Sequence, residues 1–406
     1  MLLILSITLG VVACLLTISV GYLIGLAGVY YFVNEKPIPR VPPVKRFAVL
    51  IPAHNEEVII EEAIRSWHRV EYPKDLVRIH VIADNCTDRT VAIAQRLGVN
   101  VSERHDLEHG GKGQALAWAL QNVDLAEIDA AVIVDADTTV DKEFLSVMND
   151  RFVAGARVVQ GYDGVMNPHE SAMTCLMQIT NVMKNLLFNY AKSKVGLSVH
   201  LMGTGMCIAT DVLKGVGWRA FSIGEDIEQS AFLAKAGIHV EFDPRAHVFA
   251  QEASSLGQAY TQRVRWAAGR MQLLGTGARL FCDGVRTGNL QLADSGVTFL
   301  LPNYAMLANM TIGGLLLASL IEIPGRHMLL LWFAILLVAQ CFYLFLGLLT
   351  TRPTPKMVWS LAFAPIFLIW KLMVDLISVL HLNESKWVRT RRSSPGGKED
   401  PPATSS

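Results

Sequence analysis

Long apolar segments at both ends of the chain restrict its fold more than any other feature. Residues 1–32 are almost uninterrupted apolar, and further apolar stretches cover about 297–323, 327–350 and 357–380. A helix rises about 1.5 Å per residue, so roughly 20 residues cross a hydrocarbon core of about 30 Å. We therefore predict one N-terminal and about three C-terminal transmembrane helices on either side of a central domain.

The charges around these segments predict the orientation of the chain. No basic stretch precedes the first apolar segment, which is longer than a signal-peptide core, so we expect an uncleaved anchor. The positive-inside rule places the central domain in the cytosol, because basic residues follow that anchor at Lys36, Arg40, Lys45 and Arg46. Four complete crossings would leave the C-terminus outside, yet the tail is also basic, at Lys386, Arg389, Arg391 and Arg392. Either one C-terminal segment is re-entrant or these charges do not decide the topology.

Composition narrows the class of protein. The 406 residues carry 36 basic and 36 acidic side chains, so nothing indicates a nucleic-acid partner. Hydrophobic residues make up 51% and charged residues 18%, which is lean in charge for a soluble protein. The six cysteines form no CxxC pair and lack zinc-ligand spacing, as expected for a reduced, cytosol-facing domain.

The central domain alternates strand-like and helix-like patterns. Strands are predicted at Phe47–Ile51, Val77–Ala83 and Ala130–Val134. Helices are predicted at Glu56–Trp67 with Asn55 as its N-cap, at Thr87–Leu97 and at Lys112–Asn122. This alternation predicts a largely parallel α/β sheet with right-handed crossovers. Ligands of such sheets bind at the carboxyl ends of the strands, so we expect Asn55, Asp84, Asp135 and Asp137 to meet at one edge.

The second half of the domain has a less regular pattern. Its predicted elements are a long amphipathic helix over Ser171–Lys194, a tight turn over Leu201–Met206, a helix over Glu225–Ala236 and an amphipathic interfacial segment over 258–281. In the last apolar segment, Lys371 and Asp375 have i, i+4 spacing and are predicted to pair.

Two carboxylates after a buried strand are candidate metal ligands. If the strand continues through Asp135-Ala136-Asp137, both carboxylates point to the same face. Hard oxygen ligands suit Mg²⁺ or Mn²⁺, which usually take substrate phosphates as further ligands. The alternative is a pair of solvated acids at a strand end.

Several residues near the same edge are candidates for holding a nucleotide. Asp84 has hydrogen-bonding capacity for a nucleobase or ribose, while Asn55 and Glu56 follow Pro52 at the end of the first strand. Helix capping is the alternative role for Asp84, Asn55 and Glu56. Lys112 stands between glycines where a helix begins, which favours a phosphate, although a solvated lysine has the same pattern.

The remaining candidates concern proton transfer and the end of the domain nearest the membrane. Glu225 and Asp226 open a predicted helix, either as a general base or as helix-terminal acids stabilised by the dipole. Gln262, Arg265 and Trp266 lie on the interfacial segment, where Arg265 suits phosphate and Trp266 suits a sugar ring. The alternative is an interfacial aromatic residue among snorkelling arginines.

These motifs, in this order between apolar segments, resemble the membrane-bound family 2 glycosyltransferases with a GT-A domain, including cellulose, hyaluronan, chitin-oligosaccharide and poly-N-acetylglucosamine synthases. The resemblance covers about residues 45–270. It implies that Asp84 contacts the nucleobase, that Asp135 and Asp137 hold a divalent metal on the diphosphate, and that Asp226 of the Glu225-Asp226 pair is the base. It also implies that Gln262, Arg265 and Trp266 cap the nucleotide and acceptor, and that Gly203 and Thr204 contact the acceptor.

The resemblance implies a metal-dependent, inverting transfer from a nucleotide sugar, with a UDP-sugar as the expected donor, to a polysaccharide. Transfer of one sugar to a membrane lipid, as in ceramide glucosyltransferases, is the alternative, and a non-catalytic membrane subunit is a third. A membrane partner subunit and location in a bacterial inner membrane are further expectations. We expect a helix at 1–33, the GT-A domain at 45–255, an interfacial segment at 256–295, membrane helices at 296–382 and a basic, then disordered tail at 383–406.

Overall fold

One eight-stranded sheet organises the central domain. The structure is a computed structural model that describes residues 1–380, so the predicted tail lies outside the described residues. The strands are β1 (Phe47–Ala53), β2 (Val77–Asp84), β3 (Asn100–Arg104), β4 (Ala130–Ile133), β5 (Thr138–Val140), β6 (Val158–Val165), β7 (Met206–Ala209) and β8 (Glu241–Ala250). Their order in the sheet is β3-β2-β1-β4-β7-β6-β8-β5.

Helices cover the sheet and continue into the apolar segments. In the first half of the described chain they are α1 (Leu2–Phe32), α2 (Ile60–His68), α3 (Thr90–Arg96), α4 (Lys112–Asn122), α5 (Phe144–Val153), α6 (Ala172–Val182) and α7 (Ala191–Lys194). In the second half they are α8 (Thr210–Val216), α9 (Glu225–Lys235), α10 (Leu256–Gln272), α11 (Leu274–Thr287), α12 (Leu290–Leu300), α13 (Tyr304–Leu320), α14 (Arg326–Thr350), α15 (Pro355–Ser360) and α16 (Ala364–Leu380). Short 3₁₀ turns lie at Lys74–Leu76 and Leu361–Phe363, and a π-helix at Met183–Tyr190 joins α6 to α7.

The first half of the sheet confirms the predicted parallel arrangement. β3, β2, β1 and β4 all run in the same direction. β1 is buried at six of its seven positions, as expected when helices cover both faces of a parallel sheet. In the second half, β7 is antiparallel to both β4 and β6, β8 is parallel to β6, and β5 is antiparallel to β8. The fold class is therefore the predicted mostly parallel α/β sheet with attached apolar helices.

Two predicted helix starts are wrong, and Asn55 explains both. Its backbone has a φ of 55°, in the left-handed region, so the helix cannot begin there. α2 starts instead at Ile60. The Asn55 amide oxygen accepts hydrogen bonds from the backbone N–H groups of Thr87 (2.8 Å) and Asp88 (3.3 Å). Asn55 thus accepts the backbone hydrogen bonds of the loop that precedes α3. That helix begins at Thr90 rather than Thr87.

The apolar helices agree with the predicted membrane association. By length and composition, α1, α14 and the segment Pro355–Leu380 are each sufficient to cross a membrane. α12 and α13 form a fourth candidate as a pair, bent by 65°. α1 and α14 run in the same direction: Ser6 donates to the Pro324 carbonyl at one end (2.6 Å), and the Tyr31 and Thr350 hydroxyls are 2.7 Å apart at the other.

Buried charges attach α1 to the central domain. The Lys192 ammonium is fully buried, 2.8 Å from Asp294 Oδ2 and 2.5 Å from the Thr298 hydroxyl. The Tyr22 hydroxyl donates to the other carboxylate oxygen of Asp294 (2.6 Å). These contacts join α1, α7 and α12 at one point. Lys194 adds hydrogen bonds from its ammonium to the carbonyls of Tyr30 and Val33 at the C-terminal end of α1 (2.8 Å each).

We expect Lys192→Met to lower the free energy of unfolding by about 3–5 kcal/mol, because it leaves the Asp294 carboxylate buried without a cation. Adding Asp294→Asn should restore part of this loss, since the amide oxygen still accepts from Tyr22. Unfolding of the detergent-held protein measures both. Lys142→Met, which breaks the exposed pair with Glu71, is the control, and an equal loss in Lys192→Met and this control would contradict the expectation.

Candidate active site

A single lysine joins three loops at the carboxyl edge of the sheet. Lys112 is the first residue of α4. Its Nζ lies 2.6 Å from Asp135 Oδ1 and 3.5 Å from Glu225 Oε1, and it donates to the Gly203 carbonyl (2.6 Å). The turn after β4, the turn before β7 and the start of α9 therefore converge on one ammonium group.

The lysine keeps its charge despite its burial. The Lys112 side chain is only 14% exposed. Burial alone would lower its pKa, but the nearby charges of Asp135 and Glu225 act in the opposite direction and hold the pKa above its usual range. A buried cation facing several acids is suited to a ligand that is itself negative, because an anion can take the place of the carboxylates.

Burial raises the pKa of both acids that open α9. Burial and the charge of Glu225 raise the pKa of Asp226 to about 7, although Lys112 lowers it. Burial also raises the pKa of Glu225, against the charge of Lys112. A carboxyl that titrates near neutral pH matches the requirement for a general base.

The backbone of Gly203 lies directly against Asp226. A Cβ at position 203 would be 3.4 Å from Asp226 Oδ2, and the φ of Gly203 is +86°. A side chain here would be strained and would fill the space in front of the carboxylate. Thr204 is 5% exposed, and its hydroxyl accepts from the Asp135 N–H (3.2 Å) and lies 3.3 Å from the Thr138 hydroxyl. Thr204 thus supports the Asp135 turn from behind, whereas Gly203 lies at the front.

Asp135 and Asp137 lie in a turn between β4 and β5, so the expectation that both continue the strand is wrong. The Asp135 side chain is 39% exposed, and Asp137 Oδ1 accepts from the Thr138 hydroxyl (3.1 Å). Within residues 1–380, no group of three acidic, histidine or cysteine side chains is arranged to hold a metal. Two partly exposed carboxylates fit a Mg²⁺ or Mn²⁺ ion that takes its other oxygens from phosphate and water.

Asp84 lies at the same edge but its carboxylate is already engaged. Arg104 Nη1 is 2.5 Å from Asp84 Oδ1, and both side chains are buried. The Gly111 N–H donates to Asp84 Oδ2 (3.1 Å). Asp84 therefore holds β3 and the loop before Lys112 in place. The role of Arg104 was not predicted, because β3 was not predicted; the available signal was a basic residue in the stretch before the glycines.

The loop after β1 is tied to the loop after β2. Pro52 is half-buried in β1, and Asn55 accepts from the neighbouring loop as described above. The Glu56 N–H donates to the Thr90 hydroxyl (2.8 Å), and the Glu57 N–H donates to Asp88 (3.0 Å). These residues shape the rim where a nucleotide is expected to lie.

α10 closes the site from the membrane side. A Cβ on Gly269 would be 3.1 Å from the Gly224 nitrogen, so α10 lies against the start of α9. Burial lowers the pKa of Arg265, while the charges of Glu225 and Asp135 raise it, which places its guanidinium near the site acids. Gln262 is half-buried on the same helix.

Trp266 faces away from the centre of this cluster. Its side chain is 46% exposed, and the Arg263 guanidinium lies 4.5 Å from its ring centroid. Arg263 is fixed in turn by Glu252 (2.7 Å). Trp266 thus presents an aromatic surface at the outer rim, held by a cation–π contact.

Comparison with known proteins identifies related chains. The family model "Glycosyltransferase like family 2" matches residues 42–269, more than half of the chain. The probable glycosyltransferase YdaM of Bacillus subtilis is 30% identical over 265 residues, which cover 60% of this chain and 61% of YdaM. The poly-beta-1,6-N-acetyl-D-glucosamine synthase of Staphylococcus epidermidis is 26% identical over 275 residues, 65% of each chain. The matches thus span less than two thirds of these curated relatives.

A solved structure supports the fold. The mannosyltransferase PcManGT from Pyrobaculum calidifontis, solved in complex with GDP-Man and Mn²⁺, has a TM-score of 0.59 and 19% identity. The match covers 91% of this chain and 99% of that one. At this identity the similarity concerns the fold, and it extends beyond the sheet into the apolar helices.

We expect Asp226→Asn to stabilise the folded protein at and above pH 7. From its ordinary value of 3.8 up to about 7, the folded state binds more protons at Asp226 than the unfolded state does. Stability therefore falls as pH rises through this window. The variant should unfold at a higher temperature than wild type near pH 8 and lose this advantage near pH 4. A gain that is independent of pH, or equal to that of the exposed Asp211→Asn control, would contradict this.

Proposed function

The chain belongs to the family 2 glycosyltransferases, and we propose that it is a membrane-embedded, inverting enzyme of polysaccharide synthesis. It moves a sugar from a nucleotide-sugar donor, a UDP-sugar, to a growing β-linked exo- or capsular polysaccharide. The observation that carries this proposal is the Asp226 carboxyl, whose pKa is raised to about 7 and which lies against the open Gly203 turn.

Asp226 acts as the base. With its pKa near 7, a large fraction is ionised at neutral pH, and its proton affinity suffices to take a proton from an acceptor hydroxyl. The hydroxyl oxygen forms a bond to the anomeric carbon as the bond from that carbon to the diphosphate breaks, and the proton ends on Asp226. Attack on the face opposite the leaving group inverts the configuration at this carbon. Gly203 gives the acceptor access to the carboxylate, because no side chain fills that space.

Lys112 and Arg265 receive the diphosphate. Lys112 stands at the N-terminus of α4, where a helix dipole and an ammonium both favour phosphate. When the donor binds, its phosphates replace the Asp135 and Glu225 carboxylates as partners of the lysine. Arg265 approaches from α10 and adds a second positive charge. A divalent metal held by Asp135 and Asp137 would stabilise the negative charge that develops on the leaving diphosphate.

The remaining site residues bind the two ends of the substrates. Pro52, Asn55, Glu56 and Asp84 form the nucleotide end, with Asp84 oriented by Arg104. Gln262 closes this end from α10, and Trp266 offers a stacking surface for an acceptor sugar at the rim. Gly203 contacts the acceptor, and Thr204 keeps the turn in place.

The membrane helices and the relatives support a substrate class and a location. By length and composition, α1, α14 and the bent pair of α12 and α13 are sufficient to cross a membrane, and the buried Lys192–Asp294 pair joins α12 to α7, which supports synthesis at the cytosolic face of a bacterial inner membrane. The relative in S. epidermidis, a poly-beta-1,6-N-acetyl-D-glucosamine synthase, makes UDP-N-acetylglucosamine the first donor to test. The acceptor is then a polysaccharide, and a membrane partner subunit is compatible with the exposed apolar surfaces of the helices.

We expect nanodisc-held protein to release nucleotide from one donor in the presence of Mg²⁺ or Mn²⁺. The panel is UDP-N-acetylglucosamine, UDP-glucose, UDP-galactose and GDP-mannose. Asp226→Asn should lose about 10²–10⁴-fold in kcat, the usual contribution of a general base, while exposed Asp211→Asn retains activity. Long products on a gel support a polysaccharide acceptor, and a single added sugar in the lipid fraction supports a lipid acceptor instead. Equal turnover by wild type and Asp226→Asn would refute the role of Asp226.

We expect kcat to fall below about pH 7 as Asp226 becomes protonated. Lys112 lowers the pKa of Asp226, so Lys112→Met should move this acidic limb to higher pH, whereas Lys112→Arg should leave it nearly in place. Rate profiles at saturating donor measure the shift. A limb that stays at the same pH in Lys112→Met would show that the two groups are not coupled in the working enzyme.

A further inference from the structure

Both ends of the last apolar segment are attached to the catalytic domain. We name residues 355–380, comprising α15 and α16, the C-terminal strap. Near its start, Lys356 Nζ donates to the carbonyl of His169 (2.5 Å), in the loop between β6 and α6. Near its end, the Ser378 hydroxyl lies 3.6 Å from Met271 Sδ in α10. A helix that crossed a membrane would have its two ends on opposite sides.

The middle of the strap lies beside the half of α13 that is nearer the domain. Asn309 Nδ2 donates to the carbonyl of Leu368 (2.9 Å), which places the centre of the strap beside the second turn of α13. At about 1.5 Å per residue, Asn309 is roughly 7.5 Å from Tyr304, the first residue of α13. Tyr304 lies at the end nearer the domain, because the loop after α13 contacts Ser6 at the opposite end of α1.

The charges of the strap also face the domain. Lys371 pairs with Asp375 within α16. Ser378, one turn after Asp375, contacts Met271 of α10, and the charge of Asp375 raises the pKa of Arg270 on the same helix, which burial lowers. Charged groups at the centre of a bilayer are costly, and α10 is held at the catalytic site by its contact with Gly224. Lys371 and Asp375 must therefore lie at the level of α10.

The opposite face of α16 is suited to lipid. Ile366, Ile369, Met373 and Leu376 are 56%, 65%, 57% and 63% exposed. Their spacing of three or four residues puts them on one side of the helix, opposite the buried Lys371, Asp375 and Ser378. One apolar face and one buried polar face are typical of a helix that lies in the membrane interface.

We propose that the C-terminal strap lies on the catalytic side of the membrane and does not cross it, and that Asp375 is a positioning residue for α10. The crossings are then α1, α13 and α14, and the chain leaves Leu380 on the same side as Lys36 and Arg40. This topology satisfies the positive-inside rule for Arg352, Lys356 and the basic residues beyond 380 together. Together with the contact of Ser378 with Met271, the charge of Asp375 opposite Arg270 holds α16 against the helix that presents Arg265 to the donor.

The claim that the C-terminal strap does not cross the membrane is tested with reporter proteins fused to the full chain. Green fluorescent protein fused after Ser406 should fluoresce in bacterial cells, because it folds in the cytosol, and alkaline phosphatase at the same position should stay inactive. Alkaline phosphatase inserted at Gly325, in the loop between α13 and α14, is the positive control and should be active. An active phosphatase after Ser406 with no fluorescence overturns the proposal.

The claim that Asp375 positions α10 rests on the proposed function and is tested by enzyme kinetics. Asp375→Asn should raise the KM for the nucleotide sugar about tenfold with little change in kcat, since α10 carries Arg265 whereas Asp226 lies on α9. Asp375→Glu should restore the KM. Glu322→Gln, which removes an ion pair on the other side of the membrane, is the matched control.

The outcomes separate the two claims. A KM for Asp375→Asn equal to that of Glu322→Gln overturns the positioning role, and so does an equal loss of kcat and kcat/KM, which indicates general damage to the fold. If wild type turns over no donor, the proposed function fails, but the reporter fusions still decide where the strap lies. In that case UDP binding by calorimetry replaces KM, with the same expected weakening in Asp375→Asn and the same control.

Discussion

The ammonium of Lys112 is the contact on which the site depends. It touches the turn after β4, the carbonyl of Gly203 and the start of α9, which are far apart in sequence. Burying one cation is costly, and burying several acids together is costlier, but each compensates the other. The same cluster brings the pKa of Asp226 close to neutral pH, because burial and the charge of Glu225 raise it and Lys112 limits that rise. The same few charged groups therefore balance the charge of the site and set the proton affinity of Asp226.

A second layer of contacts keeps this cluster rigid and is remote from any substrate. Arg104 and the Gly111 N–H hold Asp84, which fixes the loop entering α4. Thr204 holds the Asp135 turn from below, and close approach of Gly269 to Gly224 holds α10 to α9. Each of these contacts restricts a loop to a single conformation. The distance and angle between the base and the leaving-group site are therefore fixed before the substrates bind.

Much of this could be predicted from the sequence, for identifiable reasons. β1, β2, β4 and the start of α4 follow from continuous apolar runs and from glycines before Lys112, which are local patterns. That Asn55, Asp84, Asp135 and Asp137 meet at one edge is expected from the geometry of parallel strands, whereas the contacts of Lys112 with Asp135 and Glu225 were not predicted. The Asn55 cap was wrong because a left-handed backbone has no local sequence marker beyond the residue type. Arg104 was missed because its role depends on an ion pair across 20 residues, and β5 and β7 are too short, at three and four residues, for periodicity to indicate them.

The C-terminal topology shows where hydropathy stops being informative. A count of apolar residues gives the same result for a helix that crosses a bilayer and for one that lies at its surface with one face in lipid, since both need about the same number of apolar side chains. The positions of the few polar residues distinguish a helix that crosses the bilayer from one that lies at its surface. In α16 the polar residues form a buried stripe against the arginines of α10, and the ends of the segment contact His169 and Met271. A helix in this position couples the membrane surface to the donor end of the catalytic site.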